Sequence, residues 1–96
     1  MSLNQEEAGK LAIKDLSNRL QVAESDIAVE STETVEFPNA CLGAARPGEM
    51  CAQMILTGWR LRLRCNNKAG QTYEYRAAKN QLRLFDFNGQ NYKIYP

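Results

Sequence analysis

Seven consecutive residues, Trp59-Arg60-Leu61-Arg62-Leu63-Arg64-Cys65, alternate an apolar side chain with an arginine. A period of two suits an extended strand, because a helix would scatter these residues round its axis. Trp59, Leu61, Leu63 and Cys65 therefore share one side of a sheet, and Arg60, Arg62 and Arg64 the other. A strand with one apolar and one cationic side belongs to an antiparallel sheet that is covered on one face and wet on the other. The remaining residues have to supply the partner strands and the cover.

The cover reads from the N-terminus. From Asn4 or Gln5 to Leu20, the residues Ala8, Ala12, Leu16 and Leu20 recur every four positions, flanked by Leu11 and Ile13. This is the stripe of an amphipathic helix. Glu6, Glu7, Lys10, Lys14, Asp15 and Arg19 are expected on its remaining faces, Asn4 as its N-cap, and Gly9 as its weak point.

Beyond Val22–Asp26 the period becomes two. Ile27, Val29, Ser31, Glu33, Val35 and Phe37 are read as one face, and Ala28, Glu30, Thr32, Thr34 and Glu36 as the other; the polar middle predicts a bend or bulge, and Pro38 ends the strand. Residues 38 to about 49 form a loop with a type II turn at Pro47-Gly48. Cys51–Leu56 and Trp59–Cys65 are read as a hairpin about Thr57-Gly58, which pairs Leu56 with Trp59, Gln53 with Arg62 and Met50 with Cys65. Gln71–Ala77 continues the sheet, with Tyr73 and Tyr75 on the buried side and Thr72, Glu74 and Arg76 on the wet one. Leu82–Phe87 and Asn91–Tyr95 flank the hairpin signal Asn88-Gly89. The expected fold is α+β: an N-terminal helix packed across a meandering antiparallel sheet of about five or six strands, in a single domain over residues 1–96.

Chemistry is limited by what the chain lacks. There is no histidine among its 96 residues, which removes Ser-His-Asp and Cys-His catalysis, and no phosphate-binding loop or CxxC element is present. No catalytic residue, metal site or cofactor is expected. The net charge of +1 gives no global pull on nucleic acid, which is not expected as a partner. The longest apolar run, Met54-Ile55-Leu56, is far too short to span a membrane. Met1-Ser2-Leu3 is read as either a native start or a leader joined to a piece of a longer chain, the second favoured because the helix pattern begins almost at once.

Three cysteines leave at least one sulfur out of any intramolecular bond. Cys41–Cys51 would staple the Gly/Pro loop, Cys51–Cys65 would join neighbouring strands in the hairpin register, and three reduced thiols are the third possibility. Two candidate contact surfaces follow. Gly43, Pro47, Gly48, Gln53, Gly58 and Trp59 form a candidate binding loop and turn; Arg60, Arg62, Arg64 and Arg76, with Arg83 beside them, form a candidate anion face. Trp59, Tyr73 and Tyr75 lie on the side away from the arginines, which argues against stacking on bases and for a solvated face paired with glutamates.

Cys41-Leu42-Gly43, Pro47-Gly48, Ala52-Gln53, Gly58-Trp59-Arg60 and Tyr73-Glu74-Tyr75-Arg76 carry a resemblance. In order and spacing, over roughly residues 8 to 85, the chain resembles a family of small, uncharacterised bacterial secreted or lipoprotein domains. Cys41 stands where that pattern has Ser, and Ala44 where many members have Cys, so the resemblance implies that any disulfide made from that position is absent or rerouted to Cys51 or Cys65. More distantly the outline is similar to PepSY-like modules and to cystatin-like inhibitors. The resemblance implies an exported, extracytoplasmic, non-catalytic domain with a protein or peptide partner; an anion-binding module and a structural accessory domain are the alternatives.

Overall fold

The computed structural model describes residues 2–67 and 70–95. One helix, α1 (Gln5–Leu20), precedes five strands: β1 (Ile27–Phe37), β2 (Leu56–Cys65), β3 (Thr72–Ala78), β4 (Gln81–Phe87) and β5 (Gln90–Tyr95). The strands form one antiparallel sheet in the order β1-β2-β3-β4-β5. The chain is thus the expected α+β fold, a helix against a five-stranded meander.

Helix α1 starts where its end groups are satisfied. The Asn4 side chain accepts from the Glu7 backbone N–H at 2.8 Å, and the Glu7 carboxylate accepts from the Asn4 N–H at 3.0 Å, a closed capping box. Ala8, Gly9, Ala12 and Leu16 are buried, so the side of the helix toward the sheet is made mostly of small residues. Beneath them lie Leu61, Leu63, Cys65, Tyr75, Ala77, Leu82 and Leu84, which form the main core with Ile27.

Gly9 needs no special backbone conformation. A Cβ there would meet Val29 Cγ2 at 3.7 Å and Leu61 Cδ2 at 3.9 Å, both ordinary contacts. Gly9→Ala is therefore expected to stabilise the domain by about 0.5–1 kcal/mol through helix propensity. That raises the melting temperature by roughly 2–8 °C. An unchanged or lowered melting temperature in a calorimetric scan would refute this reading of the site.

Two polar residues of α1 face the sheet rather than water. Asp15, expected on an outer face, accepts from the Tyr75 hydroxyl at 2.7 Å and from Arg19 Nε at 2.7 Å. Arg19 in turn lies 4.2 Å from the Tyr92 ring centroid. Tyr75 is fully buried, and burial first, then its donation to Asp15, holds the phenol far above its ordinary pKa. Helix and sheet are clasped at this end by a hydrogen-bonded triad instead of by apolar contact alone.

Three strand expectations need correction. Thr57-Gly58 is not a turn: β2 runs straight through it, Leu56 pairs with Phe37 and Cys65 with Ile27, and Cys51–Ile55 belongs to a loop. The partner strand of β2 is β1, so the register that placed Cys51 beside Cys65 does not exist. Gly58 is glycine because β3 presses on it: a Cβ would overlap the Ala77 carbonyl oxygen and stand 2.7 Å from Ala78 Cβ.

The second correction concerns β1, whose side chains do not keep one parity. Val29 pairs with Leu63 but Ser31 pairs with Arg62, so Glu30 is an extra residue in a bulge. Paired residues share a face. Val29 therefore looks toward α1, whereas Glu33, Val35 and Phe37 look toward the arginine side. At the other end of the sheet Asn88 (φ 53°) and Gly89 (φ 84°) make the hairpin turn as expected, both with the positive φ that a primed turn requires.

Candidate functional site

The arginine face is the third correction, because only half of it is wet. Residues 38–55 leave β1, fold back over this face and return to β2 as one long loop. Phe37, Leu42, Leu56 and Ala78 form a second, smaller core beneath it. The loop is closed at its base by the Cys41–Cys51 disulfide, with Cα atoms 5.5 Å apart, and by the Ala40 N–H donating to the Ala52 carbonyl at 3.0 Å. Cys65 is the free thiol, buried between helix and sheet.

The sheet holds the loop with side chains from three strands. Arg76 Nη1 donates to the Leu42 carbonyl at 2.9 Å, Gln81 Nε2 to the Ala40 carbonyl at 2.7 Å and Asn91 Nδ2 to the Ala45 carbonyl at 2.9 Å. At the centre Arg83, 2% exposed, makes a two-pronged ion pair with Glu49: Nη1 to Oε1 and Nη2 to Oε2, both 2.6 Å. Its Nε donates to Gln81 Oε1 at 2.9 Å, and Nη1 also donates to the Ala44 carbonyl at 3.3 Å. A buried guanidinium needs such a complete set of acceptors. Among the described residues no buried side-chain polar atom lacks a partner. Hydrogen bonds from Arg83 hold the Glu49 carboxyl at about 2, below its ordinary 4.5.

Removing the staple tests how much the loop depends on it. With Cys41 and Cys51 both changed to Ser, stability to urea is expected to fall by about 2–3 kcal/mol, the worth of closing a loop of this length. A midpoint unchanged from the oxidised parent would show that the buried ion pair and carbonyl contacts suffice.

The candidate binding-loop residues separate in space. Pro47 and Gly48 form the exposed turn, with the Glu49 N–H donating to the Arg46 carbonyl at 3.0 Å; Gln53 is exposed on the return limb. Gly43 is tucked in, its N–H donating to Asn39 Oδ1 at 3.2 Å. Gly58 and Trp59 lie within β2, Gly58 buried under the neighbouring strand and Trp59 half-buried on the helix side. Missing from the sequence reading were Met50, Met54 and Ile55, which are 96%, 50% and 68% exposed. Met50 stands beside the disulfide, and Met54 and Ile55 lie on the limb that runs from it into β2, so the three are exposed apolar side chains of segment 50–55 at the base of the loop. The signal for two of them was Met54-Ile55 itself, read as part of a strand Cys51–Leu56.

The candidate anion residues do share a face. Arg60 reaches Glu33 and Glu74, each at 3.1 Å, and Arg62 reaches Glu33 at 3.1 Å. Arg76 reaches Glu74 at 2.7 Å, and Arg64 stands 3.8 Å from Glu30. The hydrogen bond to Glu33 leads the causes that raise the Arg60 pKa. These arginines are thus paired with carboxylates, and Arg62 and Arg64 are the more exposed. Two aromatic rings do lie among them, since Arg76 stacks 3.7 Å from the Phe85 centroid and 5.8 Å from that of Phe37.

Cys41, Glu49 and Cys51 bring their ligand atoms within 4.8 Å of one another. In the oxidised chain they form no metal centre: the sulfurs are bonded to each other and both Glu49 oxygens accept from Arg83. The cluster is a cross-link beside an ion pair.

The architecture defines a small α+β domain in which a disulfide-closed loop is anchored on the outer face of the sheet. Its sequence matches, over residues 10–85, the family described as Domain of unknown function (DUF8738), and the chain belongs to that family. No curated protein and no solved structure shows a significant match to it. Among the described residues no helix is long and apolar enough to cross a membrane.

Proposed function

We propose that this chain is a non-catalytic binding domain of an exported bacterial protein, and that it contacts a protein partner through the exposed apolar residues of segment 50–55. The observation that carries this reading is the exposure of these side chains beside a fixed cross-link. Met50, Met54 and Ile55 are exposed while the residues on either side of Met50 are held by the disulfide and the Glu49–Arg83 pair. A backbone fixed beside a cross-link has little freedom left to lose on binding, and methionine adapts to irregular partner surfaces. The cross-link supports an oxidising, extracytoplasmic setting. Neutralised guanidiniums on the open half of the face weigh against polyanions as the first partner.

The test uses the oxidised chain immobilised against proteins of the extracytoplasmic fraction and against a panel of proteases. A variant carrying Met50→Ser, Met54→Ser and Ile55→Ser is expected to keep its melting temperature and to lose capture or inhibition at least tenfold. Equal capture by both forms would overturn the assignment to segment 50–55. Binding to heparin that weakens steeply with salt would favour the arginine face instead.

A further inference from the structure

The sheet has two edge strands, β1 and β5, and the β1 edge lies beside a groove. β1 ends the sheet, and among the described residues no other segment pairs with its outer side. Alongside it, between α1 and the sheet, runs a groove of about 500 Å³ lined by Gly9, Lys10, Ile13, Val29, Thr32 and Leu61 among others. The groove exists because Gly9 carries no side chain and because the bulge at Glu30 keeps Val29 on the helix side, where it is 36% exposed. Edge and groove are continuous, since Val29 and Thr32 belong to both.

The charge of β1 itself is one-sided, and Lys10, which lines the groove from α1, is paired with Glu6. β1 contains Glu30, Glu33 and Glu36 and no Lys or Arg. The arginines that answer Glu30 and Glu33 lie behind them on β2, and Glu36 makes no ion pair among the described residues. A strand arriving at the edge meets the carboxylates one strand spacing, about 4.8 Å, before it meets the guanidiniums. A second copy pairing through its own β1 would set three carboxylates against three, which is unfavourable.

We infer that the β1 edge receives an extended, basic peptide segment of a partner protein, added as a sixth strand, with an apolar side chain in the groove beside Val29 and Lys or Arg beside Glu30 and Glu33. Main-chain hydrogen bonds to the edge supply the docking, and alternate side chains supply the selection, as in other strand additions. This surface is separate from segment 50–55 and stands whether or not that segment binds.

The probe is an end-blocked eight-residue peptide alternating lysine with valine, titrated into isotope-labelled oxidised chain and followed by amide shifts. Saturable binding is expected, with the largest shifts in residues 28–36 and at Gly9 and Ile13. Replacing the lysines with glutamates should weaken it at least tenfold, and affinity should fall with added salt. Val29→Lys, at the groove mouth, should cost at least tenfold; Glu30→Lys, which leaves the groove intact, should cost severalfold and serves if the first variant melts early. The inference is overturned by absence of saturable binding, by equal affinity for the glutamate peptide, or by shifts centred away from β1. Sedimentation showing a dimer with protected β1 amides would overturn it too, because a second copy would then hold the edge.

Discussion

Gly58→Ala is expected to abolish stable folding, or to cost upwards of about 4 kcal/mol, the range in which single substitutions are exceptional. The position is in mid-strand, where alanine is ordinarily no worse than glycine. Here the added methyl would overlap the Ala77 carbonyl oxygen and stand 2.7 Å from Ala78 Cβ and 2.9 Å from Ala78 Cα. Backbone on the adjacent strand cannot yield as a flexible side chain would, so β2 and β3 must separate where Trp59 pairs with Ala77. Circular dichroism with urea titration of the variant is the measurement. A cooperative transition within 1 kcal/mol of the parent, taken as about the error of such fits, would show that the strands part at little cost.

Glu49→Ala should be the next most damaging change, by about 3–5 kcal/mol, the cost of leaving a buried charge without its partner. Arg83 keeps Gln81 and the Ala44 carbonyl but loses both carboxylate oxygens. The double variant Glu49→Leu with Arg83→Met should recover most of that loss, because the cost lies in the orphaned guanidinium. If the double variant is as unstable as the single one, the pair is not the source. The same pair sets an acid limit. Glu49 titrates at about 2 in the fold against 4.5 for an ordinary glutamate, so its contribution is complete above pH 4.5. It is then lost as pH falls through the interval down to about 2. Stability measured from pH 6 to pH 2 should show that decline in the parent and a flatter profile in the double variant.

The helix, β2 and β3 were legible because period carries through them without interruption, whereas the β4–β5 pair breaks it between Leu82 and Arg83 and between Leu84 and Phe87. Ala8, Ala12 and Leu16 bury as their spacing implies, and Leu61, Leu63, Tyr75, Leu82 and Leu84 all reach one core. What misled was local chemistry with a distant cause. Thr57-Gly58 has turn composition, yet glycine is required there by a carbonyl on β3, about 20 residues away in sequence. Asp15 and Arg19 look like solvent residues of an amphipathic helix, and only the position of Tyr75 and Tyr92 turns them inward. The covered half of the arginine face had a usable signal. Glu49 is the only acidic residue between Pro38 and Ile55, and Arg83 lies on the arginine side of β4 by alternation with Leu82 and Leu84. Pairing them needed the loop's path, which neither period nor composition encodes.

The burial of Cys65 bears on how this chain acquires its cross-link. Three thiols allow three pairings, and two of them use Cys65. While the chain is open, all three sulfurs compete for oxidation. Once the helix lies across β2, Cys65 is 0% exposed and withdrawn from exchange, leaving Cys41 and Cys51 as the pair still within reach. Oxidative maturation of this domain is therefore edited by its own collapse: the core chooses the disulfide by hiding the sulfur that does not belong in it.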